Sequence, residues 1–485
     1  MVESHEDPRV DEIAGDPRAI LQFHPWQLQR DVLKKNEGYG HTHGTLPHTH
    51  SWLNNYDPQL VITEPELIEE VLDDQHKNFP KAKLQGHIHR ILEMDLSQPR
   101  NMIPSMIQCA ETMVEEWEHR EDKEVDVFER FKVYTLDVIS HTAFGSSYEQ
   151  GRNIFQMLQS LCELSIRNGY KVRLPRNKVL SACDSKILKS QDDVEGQMLE
   201  KRMKDWFMEI IKAREEKLNN GEADGYGNDF LGLLVKAKND PQKSERICME
   251  DVVDECKTFY FAGHETTNVL LAWTMFLLAL HKQWQEEARN QVFNVFGHNN
   301  PTLEALPKLT TMSMIIHESL RLYPPAMTLL QRVEKETRLG RLVLPSGMRV
   351  AIPTVAVHHK EELWGEDTNV FKPKRFSKGI AKATEKNSGG DTYLPFGLEP
   401  RSCVGMNFAL NEAEIAISMI LQRFSFTLSP AYAHSPAYTH SPALFLLRLL
   451  LFMDFSSFFI PFPPSTKHCH YIILNPMLSS TCINY

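Results

Sequence analysis

The chain has 485 residues, 42% of them hydrophobic and 24% charged, with 23 Gly and 27 Pro. That balance excludes a wholly disordered chain, a collagen and a multi-span membrane protein. Against 53 Lys and Arg stand 64 Asp and Glu, a net charge of −11, which argues against a generic phosphate-backbone binder while leaving room for a local basic patch, and no nucleic-acid partner is expected.

Residues 1–55 read as an irregular segment: MVESHEDPRVDEIAGDPRAI is acidic and carries no apolar signal region. The His- and Gly-rich run GYGHTHGTLPHTHS (38–51) alternates too irregularly to place four metal ligands. PQLVITEP then reads as a short strand and ELIEEVLDD as a helix, with Thr63 and Glu66 at capping-box spacing. Helical periodicity dominates 101–240, broken by the loop NNGEADGYGND (219–229), and a long apolar helix follows over 247–283. A further helix is expected near 308–322, a small antiparallel sheet over 336–353, and a helix over about 406–424.

Past that helix the hexapeptide AYAHSP (431–436) is repeated as AYTHSP (437–442). ALFLLRLLLFMDFSSFFIPFPP (443–464) is strongly apolar, but Arg448 and Asp454 leave it no clean membrane span. The expectation is a mainly α fold with a small β region over 56–436, flanked by the segment 1–55 and an atypical apolar, irregular tail, 437–485, without strands. The eight cysteines (109, 162, 183, 248, 256, 403, 469, 482) include no C-x-x-C pair, which reads as reduced thiols rather than a disulfide framework.

Four short motifs carry the chemistry. In Phe396-Gly397-Leu398-Glu399-Pro400-Arg401-Ser402-Cys403-Val404-Gly405, a cysteine stands just before a helix, where unpaired N–H groups and the dipole favour thiolate. Gly405 lets a large planar partner approach the backbone, Phe396 can cover the sulfur, and Arg401 can pair with an anionic substituent. In Ala262-Gly263-His264-Glu265-Thr266-Thr267, an acid–Thr pair interrupts an apolar helix. It reads either as a polar opening that relays protons or as a packing notch. Glu318 and Arg321 are spaced i, i+3 on one helix face. With Arg375 of the loop Pro373-Lys374-Arg375-Phe376, they can make a carboxylate held by two guanidiniums.

In this order and at these separations the four motifs resemble the cytochrome P-450 superfamily of haem-thiolate monooxygenases. The runs FAGHETTNVLLAW, ESLRLYPPA and HHKEELWGED are similar to plant members that hydroxylate hormones and terpenoid-type molecules. The resemblance implies haem b (iron protoporphyrin IX) bound through Cys403, with Glu265 and Thr266 delivering protons. It implies Glu318, Arg321 and Arg375 as the structural cluster, and Arg332, just beyond the Pro324-Pro325 turn, as a haem-propionate contact. It further implies a monomer acting on a small hydrophobic substrate and O2, with electrons from an NADPH-dependent cytochrome P-450 reductase at the endoplasmic reticulum membrane. No N-terminal anchor is read in this chain, which leaves a cytoplasmic location open.

The chain departs from the family pattern in three places. Glu399 stands where the family's loop has Gly. Only residues 73–100 separate the EEVL helix from NMIPSM, and they contain no W-x-x-x-R for a haem propionate; Trp117 and Arg120 have the wrong spacing and are not assigned that role. The first strands are read as shortened and the C-terminal strands as shortened or missing. These departures carry an alternative reading: a truncated, catalytically impaired member that only binds haem or is a non-functional product.

Overall fold

A computed structural model describes residues 59–73, 78–79, 102–119, 124–145, isolated positions within 153–164, 191–222, 225–227, 229–239, 247–384, 392–398 and 402–429, and the backbone of 471–476. The expectations placed on 1–55, on the stretch 80–101, on Glu399 and Arg401 and on most of 437–485 lie outside these residues.

The first described element is strand β1 (Gln59–Val61), followed by helix α1 (Pro65–Asp73), whose Ile68, Val71 and Leu72 form one buried face. Thr63 does not form the expected box with Glu66. Its backbone N–H donates to Glu64 Oε2 at 3.2 Å, because Pro65 opens the helix one residue after Glu64 and moves the cap with it. Helix α2 (Ile103–Glu118) buries Met106, Cys109, Ala110, Met113 and Trp117 at helical spacing. Trp117 is a core residue between Phe131 and Phe424, consistent with its exclusion as a propionate contact.

Strand β2 (Glu124–Asp126) leads into helix α3 (Val127–Phe144), capped by Asp126 and ended by Gly145 at φ 58°. Helices α4 (Gln191–Asn219) and α5 (Phe230–Lys238) follow. Arg214 of α4 ties the three together, donating from Nη2 to Phe144 O at 2.7 Å and to Asp229 Oδ2 at 2.6 Å, while Asp229 caps α5 through Gly232 N–H.

Helix α6 (Met249–Leu280) runs 32 residues through the core. Its start is fixed by Cys248, whose sulfur accepts from Asp251 N–H while Asp251 Oδ2 accepts from Cys248 N–H. Helices α7 (Lys282–Phe296), α8 (Thr310–Leu322) and α12 (Met406–Arg423) complete the main bundle; α6 packs on α3, α8 and α12, and α12 also on α2 and α7. Short helices α9 (Thr354–His358), α10 (Glu361–Trp364) and α11 (Ile380–Thr384) lie between α8 and α12.

The expected small sheet at 336–353 divides between two sheets. Strands β4 (Thr337–Leu339) and β5 (Leu342–Leu344) form a hairpin across Gly340 at φ 53°. Strand β6 (Arg349–Ile352) instead joins β1 in parallel and β3 (Leu329–Arg332) antiparallel, in the order β1-β6-β3. Val350, Ala351 and Ile352 form an unbroken buried run, as a central strand requires, whereas β5 exposes Val343 and buries Leu344 beside it.

The tail is corrected at one place. Strand β8 (Tyr471–Pro476) pairs antiparallel with both β2 and β7 (Phe424–Leu428), with Phe426 opposite Leu474 and Val125 opposite Ile472. YIILNP is a short continuous apolar run ended by Asn-Pro, a strand signal that a search for alternation misses. Among the described residues no helix is long and apolar enough to cross a membrane.

Gly263 has a packing function. A Cβ built on it would lie 2.3 Å from Ile139 Cδ1 and 3.0 Å from Cγ1, so the fully buried Ile139 of α3 fills the notch. Gly263→Val is expected to lose about 1–3 kcal/mol of stability through overpacking, read as a lower urea midpoint at unchanged slope. An unchanged midpoint would show that the α3–α6 contact is not a close fit.

Candidate functional site

The Cys403 loop is built from backbone bonds. Gly397, at φ 75°, donates to Leu394 O at 3.1 Å, and Cys403 N–H returns to Phe396 O at 2.7 Å. Met406 N–H then closes on Cys403 O at 3.2 Å, and α12 begins with Gly405 as its cap. Cys403 therefore precedes the first helical residue by one turn, with its side chain exposed. Phe396 is partly buried against the core. Among the described residues a Cβ on Gly405 would meet only Cys403 Sγ, at 3.9 Å, so the glycine leaves the approach to the sulfur open. One soft sulfur donor on an open, backbone-fixed turn suits a haem iron better than a closed structural metal site, which needs several ligands.

The α6 motif divides its residues between two faces. Ala262 is exposed and Thr266 half-buried, while His264 and Glu265 are buried toward α3. Thr266 Oγ1 donates to Ala262 O at 2.7 Å and Thr267 Oγ1 to Gly263 O at 3.2 Å, so both hydroxyls bond back to the helix. Burial raises the Glu265 carboxyl to about 7; Lys132 draws it down and Glu129 pushes it up. Burial also lowers His264 to about 4. The neutral ring donates from Nδ1 to Tyr260 O at 2.7 Å, which turns the lone pair of Nε2 toward Glu265 Oε2, 3.5 Å away. Gly263 is thus a packing notch, and Glu265 is buried beside it.

Glu318 and Arg321 are fully buried, which overturns the ordinary expectation for an i, i+3 ion pair. Arg321 Nε and Nη2 grip Glu318 Oε2 and Oε1 at 2.8 Å each, and Nη1 donates to His358 O at 2.9 Å. Arg375 lies beside them, with Nε 3.6 Å from Glu318 Oε1 and its other nitrogens on Trp364 O and on Asp367 O and Oδ1, each at 3.0 Å. Lys372 N–H completes the cluster on Glu318 Oε1 at 3.0 Å.

His358 extends this cluster to the cysteine loop, and motif reading missed it. Its Nε2 accepts Leu394 N–H at 2.8 Å, so Nδ1 carries the proton and donates to Arg321 O at 3.1 Å. Burial and then the Arg321 charge hold the ring well below the usual histidine range, hence neutral. Tyr393 stacks on His358 and donates its hydroxyl to His317 O at 3.1 Å. A continuous path therefore runs from Glu318 through Arg321, His358 and Leu394 to Gly397, one residue past the carbonyl that holds Cys403 N–H. The only hint in the sequence was the HHKEELWGED run.

Arg332 ends β3 with its side chain exposed, opposite Arg349 in the register. Neither it nor the α6 pair is joined to the Glu318 cluster by a described bond.

The chain matches the Cytochrome P450 family over residues 84–450. It is a cytochrome P450. Among its relatives, Cytochrome P450 CYP749A22 of Panax ginseng is 45% identical over 421 residues, covering 80% of this chain and 78% of the relative. Secologanin synthase 1 of Catharanthus roseus is 38% identical over 470 residues (87% and 85%). The 11-oxo-beta-amyrin 30-oxidase of Glycyrrhiza uralensis is 39% identical over 413 residues (78% and 75%). This P450 is therefore a monooxygenase of plant type that binds haem b and takes a substrate, O2 and electrons from a redox partner.

Proposed function

We propose that this P450 inserts one oxygen atom from O2 into a terpenoid-type hydrophobic substrate, acting as a monomer with an NADPH-dependent cytochrome P-450 reductase at the endoplasmic reticulum membrane. The observation that carries the reading is the exposed Cys403 sulfur on a loop tied through His358 to a fully buried ion-pair cluster. The substrate class is supported by relatives named for secologanin and 11-oxo-beta-amyrin, both terpenoid in origin.

Bound haem supplies the activation of O2. Cys403 would hold it from one side, beside Gly405 and Phe396, with Arg332 and Arg401 as the cations for its carboxylates. Thr266 uses its proton on Ala262 O, so its oxygen is left as an acceptor for a water. Glu265, at about 7, is partly protonated near neutrality and can give or take a proton without a large penalty. Glu318, Arg321 and Arg375 hold the scaffold.

The alternative, a truncated and catalytically impaired member, draws support from one feature. The Panax ginseng alignment spans 421 positions while covering 80% of this chain, fewer residues than positions, as an internal deletion produces. One experiment separates the readings. The purified protein, a plant reductase and NADPH are incubated under ¹⁸O2 with 11-oxo-beta-amyrin, β-amyrin and an iridoid glucoside. A product carrying a single ¹⁸O is expected from at least one of them. NADPH consumption that yields only hydrogen peroxide from every substrate would support the impaired form.

A further inference from the structure

Outside the P450 site the described residues hold one mixed cluster of sulfur, oxygen and nitrogen donors. Cys109 lies on α2, fully buried; Asp137 and His141 lie one turn apart on the facing side of α3. The ligating atoms of all three lie within 4.8 Å of one another, and His141 Nε2 is 3.5 Å from Asp137 Oδ1. We propose that Cys109, Asp137 and His141 form a zinc site that clamps α2 to α3.

The donor set points to the ion. One thiolate, one imidazole and one carboxylate are borderline ligands that zinc accepts together in a tetrahedron, with bonds of about 2.0–2.3 Å. The edges of such a tetrahedron are about 3.3–3.8 Å, so the donors need converge by only about 1 Å. Asp137 and His141 side chains are 23% and 31% exposed, which opens a route from solvent to the buried sulfur.

A second observation comes from the third helix of the cluster. Glu412 of α12 is completely buried, and among the described residues neither carboxylate oxygen has a hydrogen-bond partner. Burial holds its carboxyl well above the usual carboxylate range, and its backbone carbonyl accepts the Tyr134 hydroxyl of α3 at 3.3 Å, so α12 packs against the same part of α3. A buried carboxyl without a partner is costly; Glu412 stands outside the group of three donors, and a cation held by them would lower that cost through space.

The protonation states agree with the geometry. The Cys109 thiol hydrogen-bonds the Asp137 carboxylate, so its proton already lies between two of the proposed ligands. Zinc replaces that proton: the S–H bond breaks, an S–Zn bond forms and one H⁺ leaves to solvent, with no change of oxidation state.

The test uses the full haem-loaded chain with His41, His43, His48 and His50 changed to alanine, which removes the His-rich segment as a competing zinc binder. Chelator-stripped protein titrated with zinc chloride is expected to keep one equivalent through gel filtration. X-ray absorption at the zinc edge should show one sulfur at about 2.3 Å and nitrogen or oxygen at about 2.0 Å. Cys109→Ser and His141→Ala should each weaken retention at least tenfold, while Cys248→Ser leaves it unchanged. Zinc bound without sulfur in its shell, no zinc retained, or equal retention in folded Cys109→Ser would each overturn the site. The absorption spectrum of the parent chain decides the matter even if the variants fail to fold.

Discussion

Glu318→Ala is expected to lower the stability of this P450 by about 3–5 kcal/mol, the range for removing one partner of a buried ion pair. The reason is what the substitution leaves behind. Arg321 is completely buried and directs two of its nitrogens at Glu318. Without the carboxylate, its guanidinium keeps only His358 O and the face of Trp364, 5.3 Å away. Arg375 loses its ion-pair partner and Lys372 N–H its acceptor. Glu318→Gln should recover little, because an amide presents one oxygen to the guanidinium fork where the carboxylate presents two.

A structural loss alone would lower the urea midpoint. The path through His358 predicts more: haem retention should fall in protein that is still folded, because Arg321 O positions the imidazole that holds Leu394. His358→Phe keeps an aromatic ring, a somewhat larger one, and cuts that link, so it should lose haem with a smaller fall in midpoint. If His358→Phe retained full haem, the coupling between cluster and loop would be disproved. As a control, Glu250→Ala, which removes the exposed partner of Lys204, should leave both readouts unchanged.

What the sequence disclosed and what it withheld divide along chain separation. Helices α2, α6, α8 and α12 were legible because their apolar periodicity is local. So was the pairing of Glu318 with Arg321, since i, i+3 spacing puts both on one face whatever surrounds it. Their complete burial was not, because it depends on α9, α10 and the loop carrying Arg375. His358 was invisible for the same reason: its two partners lie 37 residues back and 36 residues ahead. Ile139 fills the Gly263 notch from a distant helix, which is why notch and proton relay stayed undivided alternatives. Strand β8 finds its partners far back in the chain, at β7 and at β2. Sheet pairing over such distances leaves no mark in local pattern. The Glu412 enclosure needed three helices to assemble, and the scattered cysteines gave no sign of it.

Cys403→Ser is the substitution with the sharpest expected outcome: complete loss of the red-shifted Soret band that ferrous haem gives with CO when its ligand is a thiolate. The fold should survive. Every described bond that shapes the loop is made by backbone atoms, Cys403 N–H to Phe396 O and Met406 N–H to Cys403 O, and serine keeps them all. The side chain is exposed, so the change from sulfur to oxygen creates neither cavity nor buried polar atom. Cys256→Ser should behave in the opposite way. That thiol is completely buried in α6, and a hydroxyl there costs more to take out of water than a thiol, so the urea midpoint should fall while the Soret position stays. A spectral change without instability at 403, set against instability without a spectral change at 256, separates the ligand from a cysteine that only packs. Should the red-shifted band persist in Cys403→Ser, the iron ligand would have to be sought elsewhere in the chain, and the role of the whole loop with it.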